Sequence, residues 1–244
     1  MFNTQCDLYL IHLGASGLME INLERIKRVY GKNVSLEILE KIQDKTGKEV
    51  EINSDDFESI YNIGVAFEEL EKYEEAIACY DRLLQFNPKH VDTIFNKAVS
   101  LAALEKNNES ISCYDKLLKI NSQDIRALSQ KGLTLAKMGK QKEAVECYDR
   151  VLKLQPNNIT SLCNKGVALA RLEKHTEAIE CYEEVLKLNP NHTKALSNMG
   201  VSLCMLEDIE EGIDYFYKAL EATPNEPTIL TNLSNAMSLI SKQD

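Results

Sequence analysis

Cys79-Tyr80-Asp81, Cys113-Tyr114-Asp115, Cys147-Tyr148-Asp149 and Cys181-Tyr182-Glu183 follow one another at steps of 34 residues. The same step carries Pro88 to Ser122, Pro156, Pro190 and Pro224, and Gly64 to Ala98, Gly132, Gly166 and Gly200. It also carries Ala76 to Ser110, Ala144, Ala178 and Gly212. Five copies of 34 residues fit, at 57–90, 91–124, 125–158, 159–192 and 193–226, and cover 170 of the 244 residues. Self-similarity at a period of this size marks a stacked-repeat architecture, in which each copy is one supersecondary unit.

Each copy reads as two helices. In 159–192, Leu162, Gly166 and Leu169 fall at the i, i+4, i+7 spacing of one helix face, and Ala178, Tyr182 and Val185 repeat it after a short polar turn. Asn189-Pro190 ends the second helix, because proline has no amide donor and disfavours helix in the residue before it. Small residues at the eighth and twentieth positions belong where two axes approach closely, and the Leu, Tyr and Val side chains fill the gaps between neighbours. So short a pair cannot bury its apolar faces alone, so stacking into an all-α solenoid is obligatory.

These small, aromatic and proline positions resemble the tetratricopeptide repeat (TPR) family, over roughly 70% of the chain. The resemblance implies a right-handed α-solenoid of helix-turn-helix repeats that serves as a non-catalytic protein-interaction scaffold. The tryptophan frequent near the start of such repeats is replaced by Ile60, Ile94, Leu128, Leu162 and Leu196, a size change within the core. The run Asn164-Lys165-Gly166-Val167-Ala168-Leu169 is similar to the regular arrays of archaeal and bacterial TPR proteins.

The ends leave the repeat. Residues 227–244 start with Pro227, favoured in a first helical turn, and read as a solvating cap helix with Leu230, Leu233 and Met237 on its inner face. In residues 1–56 the offsets that should hold Gly and Ala hold Tyr30 and Ile42. There, Leu8–Leu13 reads as a strand or a buried helix start, 19–31 and 35–45 as helices, and Glu49–Ile52 as extended. Ser54 reads as an N-cap for the first repeat helix. The segment is expected to be an N-terminal cap or a small helical module.

Composition bounds the function. With 44% apolar residues the chain is no disordered segment, and a net charge of −10 speaks against a nucleic-acid surface. No apolar run nears the ~18 residues of a membrane span, and the start, Met1-Phe2-Asn3-Thr4-Gln5-Cys6-Asp7, lacks the basic region expected of a secretory signal. Seven cysteines, an odd number, point to a reducing compartment and a cytoplasmic protein. Cys79, Cys113, Cys147 and Cys181 recur on neighbouring helices whose axes lie ~8–10 Å apart, too far for a disulfide or a shared zinc ion. They read as small core hydrophobes. Cys6 and His12 lack a third orienting group, and Gly14-Ala15-Ser16-Gly17 lacks both phosphate-loop spacings. No enzyme, cofactor or metal is expected.

The resemblance places positions two, five, six, nine, twelve and thirteen of each repeat on a concave groove. Position six holds Asn62, Asn96, Gln130, Asn164 and Asn198, a ladder of carboxamides able to bond an extended peptide backbone. An alternative is that each amide serves its own scaffold. Tyr61 and Phe95 at position five would anchor apolar groups, and Arg126, Lys137, Arg171 and Lys194 would select acidic side chains. Residues 125–192 carry net +3, against −5 in 57–124 and −5 in 193–244. The expected partner is therefore a protein or peptide with acidic residues. Val65, Val99, Leu133, Val167 and Val201 at position nine leave out the residues of a chaperone carboxylate clamp. Lys97, Lys131 and Lys165 at position seven are expected to snorkel over the core. Two alternatives stay open: residues 1–56 as a small regulatory or enzymatic module, and self-association of the array into a homo-oligomer.

Overall fold

The computed structural model describes residues 8–13, 17–22 and 57–240. The expected features at Cys6, 23–31, 35–45, Glu49–Ile52 and Ser54 lie outside these residues. Near the start, β1 (Leu8–Leu13) pairs antiparallel with β2 (Gly17–Asn22), in a register from Leu8 opposite Asn22 to Leu13 opposite Gly17. Residues 19–22 are thus strand where a helix was expected. Met19-Glu20-Ile21-Asn22 alternates apolar and polar, the period of a strand, and the apolar run of β1 gives it a partner. The N-terminal segment is accordingly not helical over these two stretches.

Eleven helices follow among the described residues, two per repeat and one beyond. They are α1 (Phe57–Glu69), α2 (Tyr73–Phe86), α3 (Val91–Ala103), α4 (Asn107–Ile120), α5 (Ile125–Lys137) and α6 (Gln141–Leu154). Then come α7 (Ile159–Ala170), α8 (His175–Leu188), α9 (Thr193–Met205), α10 (Ile209–Ala222) and α11 (Pro227–Ile240). The chain forms two compact units, one ending at Ile120 and one beginning at Asn121. Within each unit every first helix packs on its own second helix, and that helix on the next first helix, which is the TPR solenoid.

The core is the repeat motif itself. Tyr80, Tyr114, Tyr148 and Tyr182 are at most 1% exposed, and Phe216 takes their place in the last repeat. The ring of Tyr182 lies over Gly166 so closely that a Cβ there would stand 2.5 Å from Cε1. That contact explains the glycine at position eight of this repeat.

The turns between paired helices share one device. The amides of Lys72, Lys106, Lys140, Lys174 and Asp208 reach back five residues to Phe67, Leu101, Leu135, Leu169 and Leu203, at 2.8–3.0 Å. This is a Schellman closure, and it holds the residue before each amide in the left-handed region. Only repeat three places a glycine there, Gly139; the others use Glu71, Glu105, Glu173 and Glu207, with φ between 59° and 70°.

First helices are capped by the last residue of the preceding repeat. Asp124 and Asn158 accept from the amides of Ala127 and Ser161 at 3.0 and 2.9 Å, and His90 and His192 do the same through Nδ1. The position-seven lysines do more than snorkel. Lys97 pairs with Asp81, and Lys165 with Asp149 at 2.6 Å, each tying a first helix to the second helix of the preceding repeat.

The last helix corrects one expectation. α11 buries Ile229, Leu233 and Ala236 against α10, while Leu230 and Met237 face outward.

Candidate functional site

In the second unit α5, α7, α9 and α11 lie side by side, so equivalent positions of successive repeats share one face. Position six puts Gln130, Asn164 and Asn198 in that row, all half-buried. None of these three carboxamides spends its side chain on a hydrogen bond among the described residues. Each keeps an acceptor and two donors for a visitor.

The first unit treats the same position differently. Nδ2 of Asn96 donates to the Tyr61 hydroxyl at 3.0 Å, tying the first helix of one repeat to that of the next. Tyr61 also stands edge-on to His90 at 6.0 Å and tilted against Tyr80, and Phe95 is tilted against Tyr114 at 6.1 Å. Tyr61 and Phe95 are half-buried by these contacts, and Asn62 is half-buried beside them on α1. So in the first unit Tyr61, Phe95 and Asn96 hold scaffold contacts.

The four basic candidates are all exposed on the second unit. Arg126 lies 3.7 Å from the capping carboxylate of Asp124. Lys194 on α9 stands near Cys163 on α7; burial raises that thiol, and the ammonium pulls it the other way. Arg171 follows α7, and Lys137 ends α5.

Between α7 and α9 the face deepens into a cavity of about 330 Å³. Its walls are largely apolar: Val167 and Ala170 from α7, Val201 and Met205 from α9, with the edge of Tyr182. Its polar groups are Arg171, Glu173, Asn198, Ser202 and His175. Ser202 Oγ and His175 Nδ1 are buried with no hydrogen-bond partner among the described residues. A buried polar atom left unpaired costs about 1–3 kcal/mol, which a ligand that bonds it would recover. Met205 is 62% exposed at the rim.

Two sequence-derived candidates, Arg171 and Asn198, therefore meet at this cavity. Lys137, Gln130, Asn164, Arg126 and Lys194 are on the same unit but do not line it. Met205, His175 and Ser202 were missed. Met205 carried a signal: position thirteen is Glu69, Ala103, Lys137 and Arg171 in the other repeats, and a large apolar residue there departs from the row.

The recurrent cysteines are buried. Burial pushes the Cys79 thiol up to about 12 and that of Cys181 up to about 11, and raises Cys113 as well. Among the described residues no three His, Cys, Asp or Glu side chains group as metal ligands would. No helix among them is long and apolar enough to cross a membrane.

Comparison with known proteins agrees with this architecture. Tetratricopeptide-repeat models match residues 57–90, 91–124, 125–158 and 159–192. A search of curated proteins finds no match. Among solved structures, MamA (41-end) from Desulfovibrio magneticus RS-1 is similar at 20% identity and a TM-score of 0.67, over 71% of this chain and 98% of that one. YrrB, described as a TPR protein with an unusual peptide-binding site, is similar at 21% identity and a TM-score of 0.63, over 80% and 96%. A tetratricopeptide repeat protein from Parabacteroides merdae reaches a TM-score of 0.71 at 15% identity, over 76% and 74%. With the 34-residue frame matched from 57 to 192 and the same helix pairs continuing beyond it, the chain belongs to the tetratricopeptide-repeat family, a fold of protein-interaction scaffolds.

Proposed function

We propose that the chain is a non-catalytic scaffold that binds an extended, acidic peptide segment of a partner protein along the first-helix face of its second unit. The observation that carries this reading is the cavity between α7 and α9. It joins an apolar chamber to an exposed guanidinium, Arg171, and an uncommitted amide, Asn198. A leucine- or phenylalanine-sized side chain fits a chamber of this volume and finds Val167, Val201 and Met205 around it. Asn198, Asn164 and Gln130 offer backbone-type partners at one repeat spacing, so they hold main chain with little sequence preference. Arg126, Lys137, Arg171 and Lys194 supply the preference for acidic residues, and the net +3 of residues 125–192 steers such a segment toward this face. The seven cysteines and the acidic balance suit a cytoplasmic setting.

The test reverses the four charges together: Arg126→Glu, Lys137→Glu, Arg171→Glu and Lys194→Glu. Each exposed pair contributes ~0.2–1 kcal/mol, and reversal adds repulsion. Affinity for the tightest member of an acidic peptide library should fall at least tenfold, about 1.4 kcal/mol. The loss should appear mainly in the on-rate and shrink at high salt. Unchanged binding by the quadruple variant would move the interface off this face.

A further inference from the structure

α11 carries a second surface, independent of the peptide face. Positions four, eight and eleven of each first helix are the seat of its own second helix. In the second unit position four is Leu128, Leu162 and Leu196 and position eleven is Leu135, Leu169 and Leu203, and none of the six is more than 8% exposed. α11 continues the frame with Leu230 at four, Ser234 at eight and Met237 at eleven. Among the described residues nothing covers the seat: Leu230 is 44% exposed, Met237 50%, and Ser234 is exposed between them. The neighbouring stripe of α11, Ile229, Leu233 and Ala236, is packed on α10, so the helix is firmly held while this face stays bare.

α11 is also the one helix among the described residues without a charged side chain. The chain itself shows what fits such a seat. Each second helix presents a small residue, an aromatic four positions on and an apolar residue three further, as in Ala144, Tyr148 and Val151. The small residue lets the two axes approach, and the ring covers position eight. Charge narrows the choice. Residues 193–244 hold eight acidic and three basic side chains, and Glu210, Glu211, Asp214 and Glu221 are exposed on α10. A second copy of this chain would bring the same acidic surroundings against them, whereas basic flanks would complement them.

We infer that the outward face of α11 is a docking seat for a helix of a partner protein that carries a small–x3–aromatic–x2–aliphatic stripe between basic flanks. The occupant completes the sixth helix pair. Its stripe lies on Leu230 and Met237, and its small residue sits over Ser234.

The probe is a synthetic peptide with the sequence of residues 141–154, held helical by a lactam between Lys142 and Glu146 on its outer side. A basic form carries Glu143→Lys and Asp149→Lys; a neutral form keeps the native residues. Fluorescence anisotropy with the full chain should show saturable binding, tighter for the basic form, with the gap closing at high salt. Leu230→Glu with Met237→Glu should weaken binding at least tenfold. So should Ser234→Phe, which adds apolar surface but fills the groove, and both variants should melt within a few degrees of wild type. Failure of the basic peptide to bind, or equal binding to either variant, would overturn the assignment. Tighter binding to Ser234→Phe would overturn it too, by showing indiscriminate apolar contact. So would a concentration-dependent dimer, seen by sedimentation, that Leu230→Glu with Met237→Glu abolishes: the occupant would then be a second copy.

Discussion

Replacing Gly200 with alanine tests the packing account at its tightest backbone contact. The new methyl carbon would stand 2.8 Å from the Gly212 carbonyl oxygen and 2.8 Å from Cε1 of Phe216, where ordinary contact is 3.4–4 Å. Phe216 is 1% exposed and has nowhere to turn, and the carbonyl belongs to the α10 backbone. The two helices must therefore move apart by more than half an ångström. Overpacking of this kind costs ~1–3 kcal/mol, and alanine returns up to ~1 kcal/mol through its better helix propensity. The expected net loss is about 1 kcal/mol, or ~2–4 °C in Tm for a chain of this size. Gly212→Ala enters the same gap from the other side, 2.6 Å from Cys204 Sγ and 2.8 Å from the Gly200 carbonyl oxygen. Once one methyl has parted the helices, the second meets less resistance, so the double variant should lose less than the two singles combined. Gly139→Ala is the control. No atom lies within 4 Å of its Cβ, and its φ of +79° makes the cost one of backbone strain. It should add independently to Gly200→Ala. Urea melts of the wild type, the three single variants and the two double variants form the two cycles. A Gly200→Ala chain that gains about 1 kcal/mol, as propensity alone would give, would refute the close approach of α9 and α10.

Three further expectations follow from the same structure. Glu173→Gly should raise stability by roughly 0.5 kcal/mol, because glycine escapes the left-handed penalty of ~1–2 kcal/mol but loses more backbone entropy; thermal melts would show it, and a fall would mean the turn is not strained. His192→Ala should lower stability by ~1 kcal/mol through the lost cap on the Ala195 amide, while His192→Asn should recover most of it. Alkali should weaken the fold: burial holds Cys79 up to about 12, Cys181 up to about 11 and Tyr148 up to about 12. The folded chain keeps protons that the unfolded chain releases above pH ~8.5, so stability is full below that pH and is lost as the pH rises toward 12. Urea midpoints constant from pH 8 to 11 would contradict this.

The 34-residue frame, the helix pairs and the buried tyrosines were legible because stacking repeats one apolar pattern five times. The N-caps at Asp124 and Asn158 could be read as well, since both residue types favour that place. His90 and His192 could not, because histidine caps only when Nδ1 happens to face the amide. Four glutamates at the left-handed turn position give no sequence sign of a φ of 59° to 70°; the Schellman closure imposes it. In α11 two apolar stripes lie side by side, Leu230–Met237 and Ile229–Leu233–Ala236, and periodicity alone cannot say which one a neighbour covers. The amide ladder divided for a similar reason. Asn96 found a hydroxyl because Tyr61 stands at position five of the preceding repeat, whereas the repeats before Asn164 and Asn198 hold Ser129 and Cys163 at that position. The cavity between α7 and α9 drew two members from the candidate set, and its remaining walls come from ordinary core and rim positions that only the packing brings together.

The most direct test of the binding face is the side-chain amide spectrum of the 15N-labelled full chain during titration with a short peptide that alternates glutamate and leucine. The expected result is that the side-chain NH2 signals of Gln130, Asn164 and Asn198 shift together and saturate at one peptide concentration, while those of Asn96 and Asn235 stay in place. Saturable binding that leaves the three unmoved would contradict the assignment of the peptide to this face.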